Sequence, residues 1–142
     1  MKENARGIGC GEESCISCTH SDTSLFERDR MINALIGHLV GDFILQNDWM
    51  ALNKKKSTYH CAVHCLIWTA SVALMCGQFG MVGIALLFVT HFIQDRTNAI
   101  SNWMELVGQK QFRDGPCAPW SSIVVDQAFH LVTIWLILRW GL

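Results

Sequence analysis

The chain has almost no net charge. Its 11 lysines and arginines against 12 aspartates and glutamates leave −1 at pH 7 with neutral histidines. That absence removes the basic footprint of a nucleic-acid-binding protein, so no nucleic-acid partner is expected. An apolar core is missing from the first thirty residues, so they do not read as a cleavable signal peptide. No serine or cysteine stands beside a convincing base, which argues against nucleophilic catalysis by a side chain. Charged faces are also missing where an amphipathic helix would need them. What remains, in a length suited to one domain, is a 51% hydrophobic chain whose apolar mass lies in four stretches, residues 31–45, 61–77, 79–93 and 123–138.

Those stretches set the expected fold. FGMVGIALLFVTHFI is polar only at Thr90 and His91, and IVVDQAFHLVTIWLIL only at Asp126, Gln127, His130 and Thr133. Helices that are apolar all round are buried in a large core or in lipid, and this chain is too short to wrap four of them in soluble layers. The reading is an all-α, four-helix transmembrane bundle over residues 25–142, behind a flexible Cys-containing tail, residues 1–24. The helices are expected at about 25–46, 58–77, 79–99 and 121–140. Ser24 and Glu27 fit a capping box that starts the first one. Trp49, Trp120 and Trp140 fall at expected helix ends, where indoles favour the headgroup region. Gly37 and Gly41 form a small-xxx-small face for close approach of a neighbour. The spacing of Ile100, Trp103, Met104 and Val107 predicts a short interfacial helix before Gly108, and Asp114-Gly115-Pro116 a turn.

Each apolar stretch carries two metal-type side chains four residues apart: His38/Asp42, His60/His64, His91/Asp95 and Asp126/His130. Residues at that spacing share one helix face. Buried imidazole and carboxylate are costly unless paired or bound to a metal. The pairs lie toward the C-terminal, N-terminal, C-terminal and N-terminal ends of successive helices. In an alternating antiparallel bundle all four therefore fall at one depth, facing inward. Loops on that side hold Lys54, Lys55, Lys56, Arg96, Lys110 and Arg113, against Arg28, Arg30 and Arg139 near the other side. The bias places the paired end in the cytoplasm and both termini outside.

The strings HLVGDFILQNDWM (38–50), HCAVH (60–64), HFIQD (91–95) and DQAFH (126–130), in this order, resemble a family of short bacterial and phage integral-membrane proteins of unknown function. That family carries H-x-x-G-D-F-x-x-Q, H-x-x-x-D and D-Q-x-x-H motifs. The resemblance covers residues 31–138 and implies a bacterial inner-membrane location but no activity. His64 matches its pattern less closely than His60. By pattern alone, the H-x-x-x-D helix is also similar to one in membrane-bound metal-dependent hydrolases, whose other His-rich motifs are absent here.

Imidazole and carboxylate together suit Zn, Mn or Fe. The expected metal ligands are His38, Asp42, His60, His64, His91, Asp95, Asp126 and His130. That is more than one ion needs, so either two ions share the site or some of these residues orient others. Gln46 and Gln127 extend the stripes as hydrogen-bond partners. Two ions would suit hydrolysis of a phosphate ester, and Lys54, Lys55 and Lys56 would suit an anionic lipid headgroup at the bilayer surface. The competing reading is a non-enzymatic membrane protein, an ion-handling or host-modifying factor, in which the His/Asp pairs only hold the bundle. Tail residues Cys10, Cys15, Cys18 and His20 are zinc-type ligands with compressed spacing, read against incidental thiols or, outside the cytoplasm, disulfides. Cys61, Cys65 and Cys76 have packing as their default role.

Overall fold

The structure is a computed structural model, which describes residues 28–77 and 79–141. The Ser24 capping box and the Cys10–His20 cluster lie outside them. The described residues are helical, with no strand among them. Helix α1 covers residues 28–39 and continues into a π turn, Val40–Ile44. It is followed by α2 (Asp48–Ala51), α3 (Thr58–Cys76), α4 (Met81–Arg96), α5 (Ala99–Leu106), α6 (Lys110–Asp114) and α7 (Trp120–Arg139). Helix α3 packs on the π turn and on α4, and α4 packs on α7.

Local chemistry sets the boundaries. The Asn47 side chain accepts from Met50 N–H at 3.1 Å and caps α2. Helix α3 ends on Gly77, whose φ of +69° is the left-handed cap that glycine adopts without strain. Helix α4 stops at Arg96, short of the expected 99, because Thr97 takes over the backbone bonding. Its Oγ1 donates to Ile93 O at 2.7 Å and accepts from Ala99 N–H at 3.2 Å, which breaks the ladder and starts α5. Helix α5 is the short helix read from the sequence, with Met104 inward, and Asp114-Gly115-Pro116 is the turn after α6.

Gly37 and Gly41 bring α1 against α3. A Cβ at Gly37 would stand 2.8 Å from both Ser71 O and Val72 Cα, and one at Gly41 3.0 Å from Trp68 Cα. The π turn was not legible beforehand. It is closed by the bond from Leu45 N–H to Val40 O at 2.9 Å, and such turns concentrate at functional sites.

The interior has two storeys. At one end Ala34, Trp68, Val72, Cys76, Leu87, Ile134 and Ile137 form an apolar core. Toward the other lie the buried polar side chains His38, Asp42, His64, His91, Asp95 and His130, with Cys61 and Cys65 buried outside the apolar core. Outside, large apolar residues are exposed along the helices, among them Ile36, Phe43, Leu66, Leu74, Val89, Val124, Val132 and Trp135. Among the described residues two helices, α3 and α7, rather than the expected four, are long and apolar enough to cross a membrane. Hydroxyls on the helices bond back into their own turns, as Ser71 does to Ile67 O, Thr90 to Leu86 O and Thr133 to Phe129 O.

Candidate metal centre

Four elements deliver the polar storey. The C-terminal end of α1 brings His38 and Asp42, the N-terminal half of α3 brings His64, the C-terminal end of α4 brings His91 and Asp95, and the N-terminal half of α7 brings Asp126 and His130. Antiparallel alternation puts these ends together, as the common depth of the pairs requires.

The tightest part is built from two ring nitrogens and two carboxylate oxygens. His64 Nε2 lies 3.1 Å from His91 Nε2. Asp42 Oδ1 is 3.3 Å from His64 Nε2 and 3.7 Å from His91 Nε2. Asp95 Oδ2 is 3.0 Å from His64 Nε2 and 3.4 Å from His91 Nε2. Ligands about 2.0–2.2 Å from a zinc ion lie about 3–3.5 Å from one another, so the Asp42, His64 and His91 separations are near those of a shared cation, with Asp95 Oδ2 beside the same two nitrogens. Asp42 Oδ1 is buried and makes no hydrogen bond of acceptable geometry among the described residues, and neither do His64 Nδ1 or His91 Nδ1. An orphaned carboxylate oxygen beside two facing ring nitrogens is what a cation would satisfy. Asp95, Asp126 and His130 also offer ligand atoms within 4.8 Å of one another, giving room for a second ion.

Neighbouring groups orient these ligands. Trp68 Nε1 donates to His38 Nδ1 at 3.0 Å, and the Trp68 ring stacks on His91 at 3.9 Å between centroids. Gln127 Nε2 donates to Asp42 Oδ2 at 3.2 Å. Lys54 Nζ donates to Asp95 Oδ2 at 2.9 Å and to Gln46 Oε1 at 3.1 Å. Burial works against the Lys54 charge, but the Asp95 carboxylate more than offsets it and raises the lysine above its ordinary value. His130 Nδ1 lies 2.8 Å from Asp126 O, which leaves Nε2, without a partner among the described residues, turned from that carbonyl.

Seven of the eight expected ligands therefore gather in one storey. His60 stands apart, its ring 4.2 Å from that of Trp49. Gln46 and Gln127 each bond a member of the cluster or its lysine. Lys54 reaches the cluster, Lys55 Nζ bonds Thr97 O at 3.4 Å, and Lys56 is exposed. Sequence reasoning missed Trp68, because a tryptophan in an apolar helix carries no polar signal. It also missed Cys65, whose sulfur lies within 4.8 Å of ligand atoms of His91 and Asp95. The Lys54–Asp95 pair joins residues 41 apart and had no local signature.

A cavity of about 450 Å³ adjoins the cluster, between the π turn, the 54–55 loop, α5 and the start of α7. Asp42, Asp95, Asp126 and Lys54 are among its lining residues, together with the apolar Phe43, Ile100 and Ile123. Arg113 ties α6 to α5 through Ser101 O at 3.1 Å and Glu105 Oε2 at 3.3 Å, and pairs with its neighbour Asp114. The paired Arg113 guanidinium lowers the exposed Asp114 carboxyl below its ordinary range.

Residues 31–141 match the family described as Protein of unknown function (DUF3307), and the chain belongs to that family. No curated protein and no solved structure matches.

Proposed function

We propose that the protein is an integral membrane protein whose helices hold one or two divalent ions, Zn, Mn or Fe, at the His/Asp centre. It acts there as a metal-dependent hydrolase on the phosphate of a lipid or lipid-linked substrate. The observation that carries this reading is the convergence of Asp42 Oδ1, His64 Nε2, His91 Nε2 and Asp95 Oδ2 beside a cavity lined by both charged and apolar side chains. The membrane part is supported by the inverted burial. The most apolar window of α7 is only 22% buried, whereas the core helix of a soluble protein is mostly buried. The family assignment leaves the activity open.

In this reading His64, His91, Asp42 and Asp95 would hold the ion, whose chemistry when bound would be to lower the pKa of water and offset charge on the phosphoryl oxygens. Asp126, whose side chain is 25% exposed toward the cavity, accepts the proton that the attacking water gives up. Lys54 and Lys55 hold the anionic head, and Phe43 and Ile123 flank an acyl or prenyl chain. A second reading is favoured by one set of bonds. Trp68–His38, Lys54–Asp95 and Gln127–Asp42 satisfy much of the cluster from within, as a polar core that holds the bundle or handles ions would need.

The test is phosphate release from phosphatidic acid by purified full-length protein in detergent. Release that is abolished by chelator, restored by Mn²⁺ or Zn²⁺ and lost in Asp42→Ala is the expected result. Metal binding without release from any lipid phosphate would favour the second reading. Extraction of native membranes with alkaline carbonate should leave the chain in the pellet.

A further inference from the structure

We propose that Lys54 changes partner with metal binding, giving up Asp95 for a phosphoryl oxygen in the cavity, so that metal and phosphate bind cooperatively through one side chain. This rests on the metal-site reading above and extends it to the way the site accepts an anion. Three nitrogens crowd Asp95 Oδ2: Lys54 Nζ, which donates to it at 2.9 Å, His64 Nε2 at 3.0 Å and His91 Nε2 at 3.4 Å. That oxygen has two lone pairs. A divalent ion held by the two imidazoles uses one of them and repels an ammonium at contact distance from the other.

Lys54 has somewhere to go. It belongs to the loop between α2 and α3, its side chain is 20% exposed, and it lines the 450 Å³ cavity. Its flexible four-carbon stem turns from Asp95 toward the cavity without movement of the backbone. Gln46, its other partner at 3.1 Å, lines the same cavity and leaves with it or stays. The cavity alone is a poor seat for an anion, because Asp42, Asp95 and Asp126 face it and repel negative charge. Once a dication has neutralised two of those carboxylates, the freed ammonium and Lys55 make the cavity attractive to phosphate. By linkage, phosphate then tightens the metal as much as the metal tightens phosphate.

The experiment is calorimetric titration of the full chain in detergent with Mn²⁺ and with inorganic phosphate, separately and together. In the wild type, phosphate should bind about tenfold more tightly, or better, when Mn²⁺ is present. Lys54→Met should bind Mn²⁺ about tenfold more tightly than wild type, because a repelling charge is gone, while phosphate binding loses its dependence on Mn²⁺. Lys54→Arg keeps the charge and should restore that dependence. A lysine that serves only structure predicts the opposite for the metal, weaker or unchanged binding in Lys54→Met, and that result would overturn the exchange. So would wild-type protein that binds phosphate equally with and without Mn²⁺, a comparison that needs no variant to fold. Wild type that binds neither Mn²⁺ nor Zn²⁺ would overturn the metal centre itself, and the exchange with it.

Discussion

Replacing Gly37 with alanine should drive α1 away from α3. The new Cβ would meet Ser71 O and Val72 Cα, both at 2.8 Å, and these are backbone atoms that cannot rotate aside. Alanine gains about 1 kcal/mol over glycine in a helix interior, whereas overpacking a tight contact costs about 1–3 kcal/mol. The balance is a loss of about 1 kcal/mol, with an upper bound of about 2. The displacement also reaches the site, because His38 follows Gly37 directly and accepts from Trp68 at 3.0 Å across the same interface. Gly41→Ala strikes Trp68 itself, with Cα at 3.0 Å and Cδ1 at 2.8 Å. Gly80→Ala is the control, since its Cβ would enter open space at a φ of −69° that alanine adopts freely. Thermal unfolding of the three variants in one detergent should rank Gly80→Ala near wild type and the other two several degrees below it. If Gly37→Ala and Gly41→Ala melt at or above wild type, the close approach of α1 to α3 is wrong.

Other consequences concern the ligands. Trp68→Phe keeps the ring stacked on His91 but removes the donor to His38, and a buried acceptor left unpaired costs about 1–3 kcal/mol. A Trp68→Phe variant that melts with the wild type would mean the bond contributes nothing. His60→Ala should retain metal, because His60 packs on Trp49, whereas His64→Ala should lose affinity by at least the roughly 10–100-fold seen for orienting groups. Equal losses in elemental analysis of the two proteins would place His60 in the site after all.

The helices were legible from the apolar mass of the four stretches, and Gly77 marked the end of α3. The Thr97 break that stops α4 at Arg96 was not, since the expected helix runs on to about 99. The common depth of His38, Asp42, His91, Asp95, Asp126 and His130 was legible from i,i+4 spacing and alternation of direction. Which of the two α3 histidines turns inward was not. Both share a helix face one turn apart, and only the tertiary packing brings His64 to His91 and leaves His60 beside Trp49. Lys54 was read as a substrate contact, but its bond to Asp95 depends on how the 52–57 loop folds back, which no periodicity encodes. The π turn is equally silent in sequence, since an α-helix through Asp42 fits the same pattern.

The most direct test is metal stoichiometry in protein purified without chelator. The Asp42–His64–His91–Asp95 centre predicts about one or two equivalents of zinc, manganese or iron in the wild type, a sharp fall in Asp42→Ala and Asp95→Ala, and no change in His60→Ala. Wild-type protein that carries no more metal than Asp95→Ala, with both chains folded, would contradict the account.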